Sequence, residues 1–126
     1  MEFVHTGLAV SSEENADGFY RDLLGLEKLE PKTLPEDLIQ ALFGISEDLT
    51  VINYKSDALH VEIFVYPSYK APDNLIAHEC VKVIDLDGFV AQCKDAGFRV
   101  LEVPKGQSAV IFVSDFDGNL FEIKKA

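Results

Sequence analysis

Basic residues are scarce in this chain. Its 11 lysines and arginines face 22 aspartates and glutamates across 126 residues, a formal charge of −11. A polyanion such as DNA or RNA is held mainly through its phosphates, and no basic stripe is present to neutralise them. Attachment to an anionic membrane surface is disfavoured on the same ground. Long apolar runs are missing too: none approaches the ~18 residues of a membrane span. The start, Met1-Glu2-Phe3-Val4-His5, shows no basic segment leading into an apolar one, so no signal peptide is visible. Only two cysteines occur, Cys80 and Cys93, and their spacing matches no zinc motif. They are expected as free thiols in a cytoplasmic protein.

What is present is enough for a core. Hydrophobic residues make up 48% of the chain and aromatic ones 10%, which excludes disorder and fits one domain. Most of the carboxylates read as a solvated surface that keeps the chain soluble. The open question is whether a few of them sit inside and hold a cation.

Hydrophobic periodicity organises the chain into two similar halves. Phe3 to Val10 alternates as a strand, with Phe3, His5, Gly7 and Ala9 on one face. Ser11 and Ser12 followed by Glu14 signal a helix start, and Ala16, Phe19, Tyr20, Leu23 and Leu24 form its apolar stripe up to Gly25. Leu26 to Glu30 reads as a short strand, and Pro31 to Gly44 as either a short helix or an ordered loop. Leu49 to Tyr54 and Leu59 to Tyr66 read as a hairpin turning at Lys55-Ser56-Asp57. Pro67 to Asn74 has the composition of a linker. The pattern then restarts: a strand over Ile76 to Ile84, a helix over Asp87 to Ala96, and strands over Phe98 to Val103, Ser108 to Val113 and Leu120 to Lys124. Two βαβββ units in tandem are an internal repeat, with module 1 at about 1–67, a linker at about 67–75 and module 2 at about 76–126.

The repeat picks out four residues. Each first strand carries one histidine and each last strand one glutamate: His5, Glu62, His78 and Glu122. Glu62 lies between Val61 and Ile63, and Glu122 between Phe121 and Ile123, so both interrupt apolar strands. Two imidazoles and two carboxylates make a mixed donor set suited to Zn²⁺, Ni²⁺, Co²⁺, Mn²⁺ or Fe²⁺. Any one of the four alone reads as an ordinary structural or surface residue; their equivalence across the repeat carries the signal. His60 shares a face with Glu62, and Cys80 and Lys82 share one with His78.

Several segments together resemble a known family. They are Val4-His5-Thr6-Gly7-Leu8-Ala9-Val10, Gly18-Phe19-Tyr20-Arg21-Asp22-Leu23-Leu24-Gly25-Leu26, His60-Val61-Glu62-Ile63-Phe64, His78, and Val113-Ser114-Asp115-Phe116-Asp117-Gly118-Asn119-Leu120-Phe121-Glu122. The chain as a whole is similar to the vicinal oxygen chelate superfamily. That superfamily includes glyoxalase I, methylmalonyl-CoA epimerase, extradiol dioxygenases, fosfomycin-resistance proteins and bleomycin-binding proteins. The resemblance implies an α+β fold in which two tandem βαβββ modules form a curved, cup-like mixed sheet, all within one domain over 1–126. It implies that His5, Glu62, His78 and Glu122 bind a divalent metal, Zn²⁺ or Ni²⁺ foremost, and that the protein is a homodimer.

The ligand set is closest to glyoxalase I. By that likeness the reaction is a lyase or isomerase step, a proton transfer beside a metal-chelated carbonyl by way of an enediolate. Glu122 is the first candidate for the base and Glu62 the second. The alternatives are a non-catalytic binding protein of the same fold, an epimerase or an extradiol dioxygenase. Before its C-terminal lysines the second half holds few cations for glutathione carboxylates, only Lys82, Lys94, Arg99 and Lys105. The charge likewise favours a small, weakly charged carbonyl substrate over a polyanionic one.

Overall fold

Residues 1–126 are described by a computed structural model and divide into two units, Met1–Tyr69 and Lys70–Ala126. In the first, β1 (Thr6–Val10) leads to α1 (Glu13–Ala16), which continues directly as a π-helical stretch (Asp17–Leu23). β2 (Glu27–Lys28), β3 (Lys32–Leu34), α2 (Glu36–Phe43), β4 (Leu49–Lys55) and β5 (His60–Val65) follow. The second unit holds β6 (His78–Val83), α3 (Leu86–Asp95), β7 (Arg99–Lys105), β8 (Ser108–Ser114) and β9 (Leu120–Lys125).

The two sheets repeat one topology. The first runs β1-β5-β4-β2, with β3 also on β4, and the second runs β6-β9-β8-β7. In each, the first strand lies parallel to the last while the hairpin pairs are antiparallel. The α+β class and the repeated βαβββ order therefore hold. The segment between Pro31 and Gly44 adds β3 and α2 to the first unit only. Pro35 at the N-cap and Gly44 at φ 71° bound this helix, as expected of a residue that cannot continue a helix upstream and one that enters the left-handed region without strain.

Two details differ from the periodicity reading. β1 starts at Thr6 rather than Phe3, because its ladder with β5 begins at the pair Thr6↔Val61; Phe3 and Val4 stay exposed. His5 thus stands one residue ahead of its strand, while His78 opens β6. Beyond Ala16 the first helix widens, as shown by the bond from the Leu24 amide to the Phe19 carbonyl, five residues back. The wider turn lets the neighbours Phe19 and Tyr20 both bury fully, their rings 5.0 Å apart and edge to face.

Each unit has its own core. In the first, Tyr20, Ile39, Ile52, Tyr54 and Ile63 are sealed off, and in the second Cys93, Val113 and Phe121 are. Full burial of such apolar side chains contributes roughly 1.5–3 kcal/mol each. Cys93 is a core residue whose thiol burial pushes up to about 11. Both cysteines are free, Cys80 at the surface.

Asp17 ties the widened helix to the sheet. It accepts a 2.7 Å bond from the Tyr54 hydroxyl and faces Lys28 Nζ at 3.0 Å, which also reaches Glu13 at 2.9 Å. Burial above all, and then the bond to Asp17, raise the Tyr54 phenol above its ordinary value of 10. A group held protonated in the fold stabilises it fully below its unfolded pKa, and that stabilisation is lost as pH climbs towards the folded one. The urea midpoint is therefore expected to fall above pH ~10. The fall should be shallower in Tyr54→Phe; an identical slope in the two proteins would contradict the assignment.

Candidate functional site

The repeated topology brings ligand-type side chains together in the same way twice. Glu62 is paired with Gly7 across β1 and β5, and Glu122 with Cys80 across β6 and β9. In each unit the histidine stands two residues before that partner. The offset delivers His5 Nε2 to 3.7 Å from Glu62 Oε1 and His78 Nε2 to 3.6 Å from Glu122 Oε2. The sequence repeat therefore survives as a repeat of side-chain geometry. All four side chains are partly exposed, between 20% and 38%. Across the chain, no group of three or more His, Cys, Asp or Glu is assembled as a metal cage. The ligand-type residues come as pairs.

The histidine tautomer matters for what these pairs can hold. His78 Nδ1 lies 2.7 Å from the Ile76 carbonyl oxygen, which only accepts, so Nδ1 carries the proton. In the neutral ring Nε2 then presents a lone pair towards the Glu122 carboxylate. Two acceptors facing each other across 3.6 Å have no hydrogen to share between them and suit a shared cation. The separation is also shorter than the ~4.2 Å that two metal–ligand bonds of about 2.1 Å would span end to end. The donor types suit a divalent ion, but each unit supplies two of them, fewer than a complete site takes.

The neighbours of the pairs are set by register. Glu122 is flanked on its ladder by Cys80 and Phe112, and Lys124 Nζ stands 3.5 Å from its other oxygen. The His78 ring packs edge to face on Phe112 at 5.0 Å. In the first unit Asn53 is the ladder partner of Glu62, and its Oδ1 accepts a 2.7 Å bond from His60 Nε2. His60 in turn lies 5.4 Å from the His5 ring. The repeat singles out neither His60 nor Asn53. The signal was available in the alternation Ile52-Asn53-Tyr54, which puts one polar residue opposite Glu62. Cys80 and Lys82 do share the exposed face of His78.

The Asp-x-Asp-Gly-Asn segment has a structural task that supports Glu122. Buried Asp115 accepts from the amides of Asp117 and Asn119, both at 2.9 Å, and from the Asn119 side chain at 2.8 Å. Gly118 completes the turn at φ 88°, and a Cβ there would come within 2.9 Å of Ala71. This tight turn sets the β8–β9 register and so the position of Glu122.

Each unit also has a cavity beside its pair. The first, about 500 Å³, includes His5, Glu62, Gly7, Phe43, Phe64 and Tyr66 in its lining. The second, about 720 Å³, is lined in part by His78, Arg99, Phe112, Ser114 and Phe116.

Comparison with known proteins places the chain in a family. A family model described as the Glyoxalase/Bleomycin resistance protein/Dioxygenase superfamily matches residues 2–123. No curated protein sequence matches the chain. Among solved structures, a glyoxalase family protein from Enterococcus faecalis is 22% identical, with 97% of this chain and 95% of that chain covered, at a TM-score of 0.74. The fosfomycin resistance protein FosX from Mesorhizobium loti is 15% identical, over 99% of this chain and 91% of that one, at 0.72. A mutant FosX from Listeria monocytogenes complexed with Mn(II) and 1S,2S-dihydroxypropylphosphonic acid is 16% identical, over 98% and 88%, at 0.73. At these identities the likeness bears on the fold. No helix here is long and apolar enough to cross a membrane.

Proposed function

Because the chain belongs to the glyoxalase/bleomycin resistance protein/dioxygenase superfamily, we propose that it is a metal-dependent lyase or isomerase of the glyoxalase I-like type, moving a proton next to a carbonyl. The observation that carries this reading is the duplicated His–Glu pair, at one ladder offset and at nearly equal separation in both units. His5, Glu62, His78 and Glu122 are the residues that would hold a divalent ion, with Zn²⁺ or Ni²⁺ foremost and the Mn(II) of the Listeria protein as a precedent in the same fold. When bound, such an ion polarises a carbonyl and acidifies the neighbouring C–H. Glu122 is the residue that would take the carbon-bound proton and return it to the product, with Glu62 the second candidate. His78, anchored through Nδ1 on the Ile76 carbonyl, keeps Nε2 turned to the pair.

In the same reading the two units work as one domain in a cytoplasmic homodimer acting on a small carbonyl compound. The free cysteines suit a reducing compartment. Exposed Phe3, Val4, Ile76 and Ile84 supply apolar surface that a subunit interface would cover.

A second reading, a non-catalytic small-molecule binding protein of this fold, is favoured by one observation: the ligand-type residues form pairs and not a complete cage. Metal analysis separates the two. Protein purified without chelator is expected to retain stoichiometric divalent metal and to gain thermal stability on adding Ni²⁺ or Zn²⁺. His78→Ala should lose both responses. A protein that takes up no metal and shows no thermal shift would leave the binding reading in place of the enzyme.

A further inference from the structure

The cavity of the first unit differs in chemistry from that of the second. No lysine or arginine lines it, whereas Arg99 lines the other. Its one carboxylate is Glu62, placed with His5 at one end. Elsewhere its walls are aromatic and aliphatic. Phe43 and Phe64 meet edge to face at 5.2 Å, and Tyr66 and Tyr69 line it as well.

Local structure explains why the aromatic wall stands there. Ile39 is sealed into the core and anchors α2, and Phe43, one helical turn later, leans over the same side. Gly44 then ends the helix, leaving Phe43 52% exposed. On the floor, Gly7, diagonal to Phe64 across the β1–β5 ladder, has no side chain: an added Cβ would stop 3.5 Å from the Phe64 ring, at ordinary contact distance. The strand itself tolerates a side chain, since Gly7 is not among the glycines at positive φ. With no side chain at Gly7 and Phe43 half exposed, the cavity can take a flat apolar group against Phe43 and Phe64.

We infer that this cavity seats the aryl body of a neutral carbonyl substrate, with its oxygen-bearing end directed to His5 and Glu62. An aryl ring gains edge-to-face contact with Phe43 and Phe64 and covers the exposed face of Phe43. An anionic group placed there would meet Glu62 with no lysine or arginine to offset it. α2, the element the second unit lacks, is then the specificity element of the site. The inference rests on the proposed proton-transfer reading only for the identity of the polar end.

Binding to the metal-free protein tests it. Three probes are titrated while amide and aromatic NMR shifts are followed: 2-hydroxyacetophenone, hydroxyacetone, and the para-carboxylate of the first. The expected result is saturable shifts at Gly7, Phe43, Phe64 and Tyr66, with 2-hydroxyacetophenone binding about tenfold or more tighter than either other probe. Gly7→Leu should abolish these shifts, and Phe43→Ala, at a half-exposed position that the fold does not need, should weaken binding about tenfold. Equal affinities for the three probes, shifts confined to other surfaces, or unchanged binding in folded Phe43→Ala would overturn the inference. The two failures stay distinct. Metal uptake without aryl binding removes the cavity assignment alone, and aryl binding without metal uptake removes the enzyme reading alone.

Discussion

Glu122→Gln is expected to lower turnover on an α-hydroxyketone by about 10²–10⁴-fold at saturating metal. The substitution keeps the shape of the side chain and its place on β9 between buried Phe121 and Ile123. What it removes is the ability to accept a proton from carbon. An amide oxygen is also a poorer metal donor than a carboxylate, so metal affinity is measured separately and saturated in the kinetic assay. The decisive reading is solvent deuterium at the carbon beside the carbonyl. The native protein should exchange it and Glu122→Gln should not. Full exchange in a metal-loaded variant would sink the assignment of Glu122 as base and direct attention to Glu62→Gln.

Phe121→Ala is expected to cost about 3–5 kcal/mol, the largest stability effect in the second unit. Phe121 is fully buried, with Val113 and Glu79 as its ladder neighbours. Removing the ring leaves a cavity that a two-stranded flank cannot close without moving β9. Against a typical total of about 5–15 kcal/mol, that loss brings the protein close to unfolding at moderate temperature. Urea denaturation measures it as a lower midpoint with an unchanged slope. The variant should also bind metal more weakly, because Glu122 is held by the same strand. A cost below about 1 kcal/mol would mean that the ring is not the keystone its burial indicates.

Much of the fold was legible because its signals are local. Ser12 does cap the first helix, accepting from the Asn15 amide, and Gly44 does stop α2. The hairpin of β4 and β5 follows directly from alternation around Lys55-Ser56-Asp57. The π-helical stretch was not legible, since Phe19 and Tyr20 fit an α-helical stripe nearly as well; the contact of Tyr20 with Tyr54, at 5.7 Å between rings, is what rewards the wider turn. The choice between helix and loop after Pro31 also stayed open, because the exposed Leu38, Leu42 and Phe43 make that helix apolar on more than its buried face.

The site divides along the same line. Sequence by itself determined the acidic surface, the tandem repeat, and the two His and two Glu that recur at matching places in it, since composition and periodicity are properties of the chain alone. Only the tertiary structure decided the register of β1 on β5 and of β6 on β9, and with it that each histidine reaches its glutamate. Register is a non-local choice, made by which apolar faces bury together and by turns such as that of Asp115 and Gly118. The same holds for Asn53 beside His60, and for Phe43 and Gly7, residues 36 positions apart in the chain that line one cavity. No periodicity connects them, and the cavity exists only because the fold brings the end of α2 and the first strand to one lining.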